Sequence, residues 1–439
     1  MMTRWRLAVI GGGLAALALF ALLFRDFPSL YFAVLTGWGE QEFWFPFLDT
    51  HAVLAALQCA RMGFDVYVAN PCDVLNRPHV YSPLFLEAAI LPVTTGWTMT
   101  VGIGLVLGFI AALASLPAPR GWREAAIMVL AMLSTMTLYA VERGNNDILI
   151  FILVTIAGHL ALRRIGPRLI AYLAIVLAAC LKFYPLILLV LTMRERPRRF
   201  IAINAVALAV VALFAAHYYG ALAETWKVLP TRSSSGTELL GFGAVNLPRG
   251  MTQLLTPLLS SNPATAGIVR FLPDLLLVLL TLNSLWRAIL VVRRAESRAR
   301  FAALPLRRAL FLVIGASLIV GCFFAGQNIG YRGIFFIFLL PGLCAPAGTE
   351  RASRWSGIAI AILLLMWGDF LVHWVGVLAR LAAAPAIEAT AQVSLWLALE
   401  LIWWRVIAAL FARILCFIAT SEMGAALFGR STAPRRVAR

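Results

Sequence analysis

The sequence predicts an all-α polytopic membrane protein, and three observations carry that prediction. Of 439 residues, 62% are hydrophobic and 13% are charged, with a mean hydropathy of +0.89. A soluble fold has no interior large enough to hide so much apolar surface. The apolar residues fall into successive runs, many of them near the ~20 residues that a helix needs to cross a bilayer. The charge is also sorted. The formal net charge is +17, from 37 Lys and Arg against 20 Asp and Glu, and the basic residues gather in alternate inter-run segments, as they do in cytoplasmic loops. That sorting removes the nucleic-acid reading a strongly basic soluble protein would invite.

The elements follow in order. Residues 7–24, behind Arg4 and Arg6, can span a core of roughly 30 Å. No small-residue cleavage site follows near Arg25, so this run reads as an uncleaved anchor with a cytoplasmic N-terminus. Residues 25–82 form a first external loop. The run 83–116 is too long for one straight span, and Pro92 and Gly96 divide it into a partial and a full helix. After Arg120 and Arg123 inside, residues 125–141 lead out to a turn holding Glu142, Arg143, Asn145, Asn146 and Asp147. Residues 148–162 return to Arg163, Arg164 and Arg168.

Residues 169–193 have basic clusters at both ends, and a single span would leave one cluster outside. Lys182-Phe183-Tyr184-Pro185 interrupts the run with a proline. The two halves, about 20 and 15 Å long at helical rise, do not span. The segment is predicted as a broken hairpin entering from the cytoplasm with Lys182 near its tip, covered by protein or facing a watery cavity. Residues 200–219 go out to a second external loop, 220–266, and 268–292 return to the basic stretch 293–308. Runs at 310–325, 333–347, 356–378 and 393–418 complete ten full spans besides the hairpin. The domain reading is a transmembrane module at 1–219, the loop 220–266, a C-terminal transmembrane module at 267–420 and a basic cytoplasmic tail at 421–439. On this map 23 of the 37 basic residues lie on cytoplasmic edges, nine lie outside and five fall in spans or their ends. No internal repeat stands out, which disfavours transporters built from duplicated halves.

Motifs of soluble enzymes are missing: no phosphate loop, no dinucleotide fingerprint, and five histidines (His51, His79, His159, His217, His373) without ligand spacing. Nothing in the spacing supports a divalent metal, and no cofactor is expected. The unusual polar residues gather instead on the predicted external side. Glu40-Gln41-Glu42 and the aromatics Phe43, Trp44, Phe45 and Phe47 precede Asp49-Thr50-His51. Residues 49–62 read as an amphipathic helix lying in the membrane interface, with His51, Gln58, Arg61 and Asp65 opposite Val53, Leu54, Leu57 and Met62. Asp49 suits a helix N-cap and equally suits a base for an acceptor hydroxyl; the two roles are compatible. A second cluster is the 142–147 turn, and a third is Gln327, Asn328, Tyr331 and Arg332. Turns need Asn and Gly and span-end arginines snorkel, yet Arg143 and Arg332 with Lys182 could also surround an anionic headgroup. Cys59 and Cys72 share the first loop, where an oxidising compartment would permit a disulfide that spacing alone does not establish.

The stretch from Asp49 through Ala60, Gly63 and Asp65-Val66-Tyr67 to Val80-Tyr81-Ser82-Pro83 resembles the first external loop of polyprenyl-phosphate-sugar glycosyltransferases, most nearly family 87 of the GT-C superfamily. Ser82 stands where that pattern has a proline. Residues 142–147 resemble the family's Arg/Gly/Asn turn, and Lys182-Phe183-Tyr184-Pro185 its Lys-x-x-Pro hairpin. The resemblance covers about the first 200 residues; beyond them only Asn246 and the Tyr331-Arg332 turn suggest the pattern.

The resemblance implies a GT-C-like fold with the catalytic module in 1–219 and Asp49 as the general base of an inverting transfer. Arg143, Lys182 and Arg332 are candidates for the donor phosphate. Glu142, Asn146, Asp147, Glu42, His51 and Asn246 are candidates for the sugar or the acceptor. It also implies a polyprenyl-phosphate sugar as donor, a lipid or glycan as acceptor, and a multi-pass protein of the inner (plasma) membrane with its active site facing the exterior. The residues alone leave two alternatives open: a flippase for an anionic lipid, and a lipid-linked-glycan ligase or polymerase that uses a diphosphate donor.

Overall fold

In hydrocarbon a backbone must satisfy its own hydrogen bonds, and a helix does so within one segment. The computed structural model describes residues 4–40, 45–233, 242–259, 263–326, 328–344, 352–381 and 385–428. Among these residues the fold is helical, and the sole β pairing is an isolated bridge between Phe242 and Asn328. The chain begins with α1 (Arg4–Asp26), α2 (Pro28–Gly37), α3 (Leu48–Arg61), a 3-10 helix at Pro83–Ile90 and a 3-10 turn at Thr95–Trp97. It continues through α4 (Thr98–Ser115), α5 (Trp122–Met132), α6 (Thr135–Glu142), α7 (Asn146–Ala161), α8 (Ile165–Leu181) and a 3-10 helix at Tyr184–Arg194. Next come α9 (Pro197–His217), α10 (Tyr219–Ser233), α11 (Asn246–Leu259), α12 (Pro263–Arg293), α13 (Ala295–Ala303) and α14 (Leu306–Ala325). A further 3-10 helix at Gly330–Phe338 leads to α15 (Leu340–Leu343), α16 (Ala352–Met366), α17 (Gly368–Leu381), α18 (Pro385–Ala419) and α19 (Glu422–Phe428).

Six helices are long and apolar enough to cross a membrane, or eight if the α5–α6 pair, bent by 50°, and the α16–α17 pair, bent by 61°, each count as one span. The expected ten therefore shrink. Residues 148–162 fold into the 16-residue α7, only about 24 Å long at helical rise. The described part of 333–347 is a tight 3-10 segment followed by the four-residue α15. The second loop, read as an external connection at 220–266, is largely helical where it is described. In the predicted tail, described through 428, residues 422–428 form α19; Arg435, Arg436 and Arg439 lie outside the described residues.

The core forms around α14, whose segment Leu310–Ile319 is buried throughout and which packs between the 3-10 helices Tyr184–Arg194 and Gly330–Phe338 and against α18. Phe151 stacks on Phe338 with ring centroids 4.2 Å apart, and Phe311 stacks on the same ring. Gly158 makes the α7–α14 approach possible, since a Cβ there would stand 2.8 Å from the Phe311 ring. At one end of this core Arg308 is clamped on Glu124 through two bonds of 3.1 Å and donates to the Ala118 carbonyl at 2.8 Å. Both side chains are buried. Removing one partner leaves the other charge buried and unpaired. Arg308→Met is therefore expected to destabilise the protein by about 3–5 kcal/mol, read as a drop in the thermal unfolding midpoint in nanodiscs.

Two breaks in this core carry cations. After α8 the backbone turns extended at Lys182 and returns as the 3-10 helix from Tyr184, which packs back on α8. The residues and the turn-back are those of the predicted hairpin. The carbonyl freed at Cys180 accepts from Ser82 Oγ at 2.7 Å, and Ser82 Oγ in turn accepts from Leu84 N. Ser82 thus does with its hydroxyl what a proline there could not. After α14, Gly326 (φ +137°) reverses the chain, and Asn328 Nδ2 donates to the Cys322 and Gly326 carbonyls at 2.8 Å each. Arg332 lies in the first turn of the 3-10 helix that follows. Similarly, the run 83–116 breaks between Ile90 and Thr95, around Pro92 and up to Gly96, as the sequence indicates.

The helix read from the sequence at 49–62 forms as α3, but residues of both its faces, His51 as well as Val53, Leu54 and Leu57, are buried in protein. Its N-cap is Phe47 (φ +67°), without a side-chain cap bond, so the N-cap role expected of Asp49 is not taken up. The Asp49 carboxylate is turned away from its own helix end, toward stronger charge-assisted partners. Cys59 and Cys72 form a disulfide that ties α3 to the loop after it.

Candidate functional site

The first loop and the 142–147 turn are zipped together along their backbones. Asp49 N donates to the Arg143 carbonyl at 2.9 Å, and Thr50 Oγ1 donates to the Gly144 carbonyl at 2.8 Å. Gly144 has φ +56°, and a Cβ there would stand 2.4 Å from Thr50 Oγ1, so a glycine is required. This brings the Asp49 carboxylate, 4% exposed, against the Arg143 guanidinium. Arg143 Nη2 donates to Oδ1 at 2.7 Å and Nε to Oδ2 at 3.1 Å, while Asn145 Nδ2 donates to Oδ2 at 2.6 Å. Arg77 Nη1 stands 3.6 Å from Oδ1. Burial alone would raise the Asp49 carboxyl, but Arg143, Asn145 and Arg77 together hold it below the usual carboxylate range.

Asn145 joins this pair to a second cluster. Its Oδ1 caps α7 by accepting from Asp147 N at 2.9 Å and also accepts from Lys182 Nζ at 3.3 Å. Asp147 is fully buried. Lys182 Nζ donates to its Oδ1 at 2.8 Å, Tyr184 OH donates to the same oxygen, and Arg332 Nε lies 3.7 Å from Oδ2. Lys182 also stands over the rings of Tyr81 and Tyr331, and Arg332 over Tyr184. The two broken segments therefore deliver their cations to one carboxylate at the N-terminus of α7. Counting Asp73, which holds Arg77 through Nε at 2.8 Å, three carboxylates face four cations within the hydrogen-bonded network, and the Glu142 carboxyl stands at its edge.

Of the residues expected from the sequence, Asp49, Arg143, Asp147, Lys182 and Arg332 come together in this network. Glu142 adjoins it, with Oε1 3.4 Å from Tyr31 OH and Oε2 buried without a hydrogen-bond partner. Asn146 is buried in the first turn of α7 with Nδ2 unpartnered. His51 pairs through Nδ1 with Thr98 Oγ1 at 3.2 Å, and its Nε2 is buried without a partner. Asn246 stands beside Glu400 of α18, apart from this hydrogen-bonded network. Glu42 and Gln327 lie outside the described residues. Sequence reasoning missed Arg77 and Asp73, whose signal was an i,i+4 charge pair in the loop, and Tyr139, over whose ring Arg143 stands. Tyr81, Tyr184 and Tyr331 were read within motifs or clusters but given no part in lining the site. Among the described residues no group of three or more His, Cys, Asp or Glu is arranged to hold a metal ion.

His79 braces the loop that carries Arg77, its ring 5.4 Å from Tyr67 and 5.8 Å from Tyr81. Burial pushes its imidazole down to about 4. Between that value and an ordinary ~6.5 the unfolded chain binds a proton that the folded chain does not. The contribution is whole above pH ~6.5 and is lost as pH falls toward ~4, up to about 3 kcal/mol. Thermal unfolding midpoints measured from pH 7 down to 4.5 are expected to show this loss, and His79→Phe to remove its share.

Apolar helices enclosing a buried carboxylate–cation network describe an integral-membrane protein with a polar, anion-compatible site. Residues 78–320, more than half of the chain, match the model of glycosyltransferase family 87, and the chain belongs to that family, a membrane glycosyltransferase of GT-C type. The match reaches well past residue 200 and includes Arg143, Asp147 and Lys182, whereas Asp49 and Arg332 flank it. No curated protein and no solved structure shows a significant match.

Proposed function

We propose that this glycosyltransferase moves a hexose or pentose from a polyprenyl-phosphate donor to a lipid or glycan acceptor on the extracytoplasmic face, with inversion at the anomeric carbon. The observation that carries this reading is the continuous chain of contacts from Asp49 through Arg143 and Asn145 to Lys182, Asp147 and Arg332. Asp49 takes the proton of the acceptor hydroxyl, whose oxygen attacks the anomeric carbon as the bond from that carbon to the phosphate oxygen breaks. The electron pair leaves with the lipid phosphate, which departs with one more negative charge. Such a leaving group needs cations rather than a proton, and Arg143, Lys182 and Arg332 supply them. Asp49 is a weak base while it is clamped by Arg143. When the donor phosphate draws that guanidinium toward itself, the carboxylate becomes basic enough to act. Basic residues concentrated on the opposite set of loops support N- and C-termini in the cytoplasm and the site on the exterior of the inner (plasma) membrane.

The test is to incubate the purified protein in proteoliposomes with a panel of polyprenyl-phosphate hexoses and pentoses. Release of lipid phosphate coupled to a new glycosidic bond is the expected result. Movement of unmodified lipid between leaflets with no bond formed would overturn the reading in favour of a flippase.

A further inference from the structure

A cavity of about 320 Å³ lies between α1, α2, α4 and the bent α5–α6 pair, within the size range of ligand pockets. Its walls are almost wholly apolar. Among the side chains that line it only Tyr31, Thr137 and Glu142 carry polar atoms, and none is a cation. On the outer surface of the bundle it is bordered by Met99 and Ile103, 36% and 42% exposed. In a membrane protein that surface faces lipid. The polar end is reached at Glu142, next in sequence to Arg143, and at Phe47, two residues before Asp49. Phe47 is a non-glycine residue at φ +67°, a conformation costly for a bulky side chain. Its ring fills the space left by Gly102, where a Cβ would stand 2.2 Å away. The chain thus holds one ring between the apolar cavity and the turn that carries the Asp49 carboxylate.

We propose that this cavity is the tail site of the acceptor, an amphiphile with an uncharged, hydroxylated head, which enters sideways from the bilayer between α1 and α4. The assignment rests on the glycosyl-transfer reading above and specifies one side of that site. The choice between the two lipid substrates follows from the charge at the polar end. Lys182 and Arg332 do not line the cavity, and the adjacent guanidinium of Arg143 is turned to Asp49. A phosphate held there would meet the Glu142 carboxylate, with no cation in the cavity wall and only Arg143, already bonded to Asp49, nearby. A hydroxyl instead supplies the donor that the buried, unpartnered Glu142 Oε2 lacks. A head anchored at that point leaves its reacting hydroxyl beside Asp49, while the donor's phosphate is held at the cations.

The experiment uses the wild-type protein in nanodiscs with two photoprobes: a dodecyl glycoside and a polyprenyl phosphate, each with a diazirine in its chain. The glycoside is expected to label the Met99–Val106 stretch of α4 and the facing turns of α1, with excess unlabelled glycoside competing, and the polyprenyl phosphate to label elsewhere. Labelling of the cavity by the polyprenyl phosphate, or glycoside labelling no stronger than that by a diazirine phosphatidylcholine, overturns the assignment. As a second measurement, Ala16→Phe, which fills the cavity, is expected to cut the preference for a dodecyl over a tail-less acceptor about tenfold, as loss of roughly two methylene contacts would. The loss should fall on acceptor rather than donor KM; the reverse overturns the proposal. Labelling needs no turnover, so the two readings fail separately. Sugar transfer without labelling overturns the cavity assignment alone. Labelling without transfer overturns the reading on which it rests.

Discussion

Asp49→Asn is expected to lower sugar transfer by about 10³-fold or more, at the upper end of what a positioned general base contributes. The amide fills the same space but cannot accept the hydroxyl proton. The clamp around Asp49 makes the expectation more specific than a simple loss of activity. Arg143 gives bonds of 2.7 and 3.1 Å to this carboxylate, so neutralising it removes a principal counter-charge from a buried guanidinium. Two consequences follow besides lost turnover. Stability falls, by as much as about 3–5 kcal/mol if nothing relaxes, and a donor phosphate now meets an arginine released from competition. Donor binding, followed by labelled polyprenyl-phosphate-sugar retention, should therefore be equal to or tighter than in the wild type while transfer is lost. Near-wild-type turnover in folded Asp49→Asn protein would sink the role of Asp49. Weaker donor binding would sink the competition between carboxylate and phosphate for Arg143.

What the sequence made legible was mostly local. The interruption at Lys182-Phe183-Tyr184-Pro185 could be read because a proline within a doubly flanked run has few other outcomes. The break around Pro92 and Gly96 followed from length alone. What hydropathy could not separate was lipid from protein as the cover of an apolar helix. Pro197–His217 and Leu306–Ala325 look alike in composition, yet one has 6% and the other 83% of its span window buried inside the protein. The same blindness made the segment after Gly333 read as a span, when it is a tight strap against α14. At the site, the charged residues could be listed but not paired. Arg143 reaches Asp49 across 94 positions, and Asp147 meets Lys182 across 35. No periodicity encodes such partners. Asp49 suited an N-cap by residue type, and only a competing guanidinium from a distant turn explains why it does not serve as one. No sequence repeat announces that α8 and α14 each end in a break that carries a cation, because the likeness lies in backbone path and not in residue identity.

Lys182→Met carries the second large effect, an expected loss of about 10²–10³ in kcat/KM, the range seen when one group that stabilises transition-state charge is removed. Asp147 already accepts from Lys182 and Tyr184 and lies 3.7 Å from the Arg332 guanidinium, so without substrate it occupies the place in the charge balance that a phosphate would take. Donor binding must share these cations with it, and the net gain on binding the ground state is modest. As the anomeric bond breaks, the phosphate gains a full negative charge and its hold on Lys182 strengthens, while the fixed charge of Asp147 gains nothing. The loss should therefore fall mainly on kcat, with a smaller rise in donor KM. Lys182→Arg should restore part of the rate by keeping a cation at the break, though its larger, planar head will not reproduce the 2.8 Å contact. A double-mutant cycle with Asp147→Asn separates this account from a merely structural ion pair. If Lys182 only neutralises Asp147, removing both restores turnover. If it acts on the leaving phosphate, the double mutant stays at least as slow as Lys182→Met.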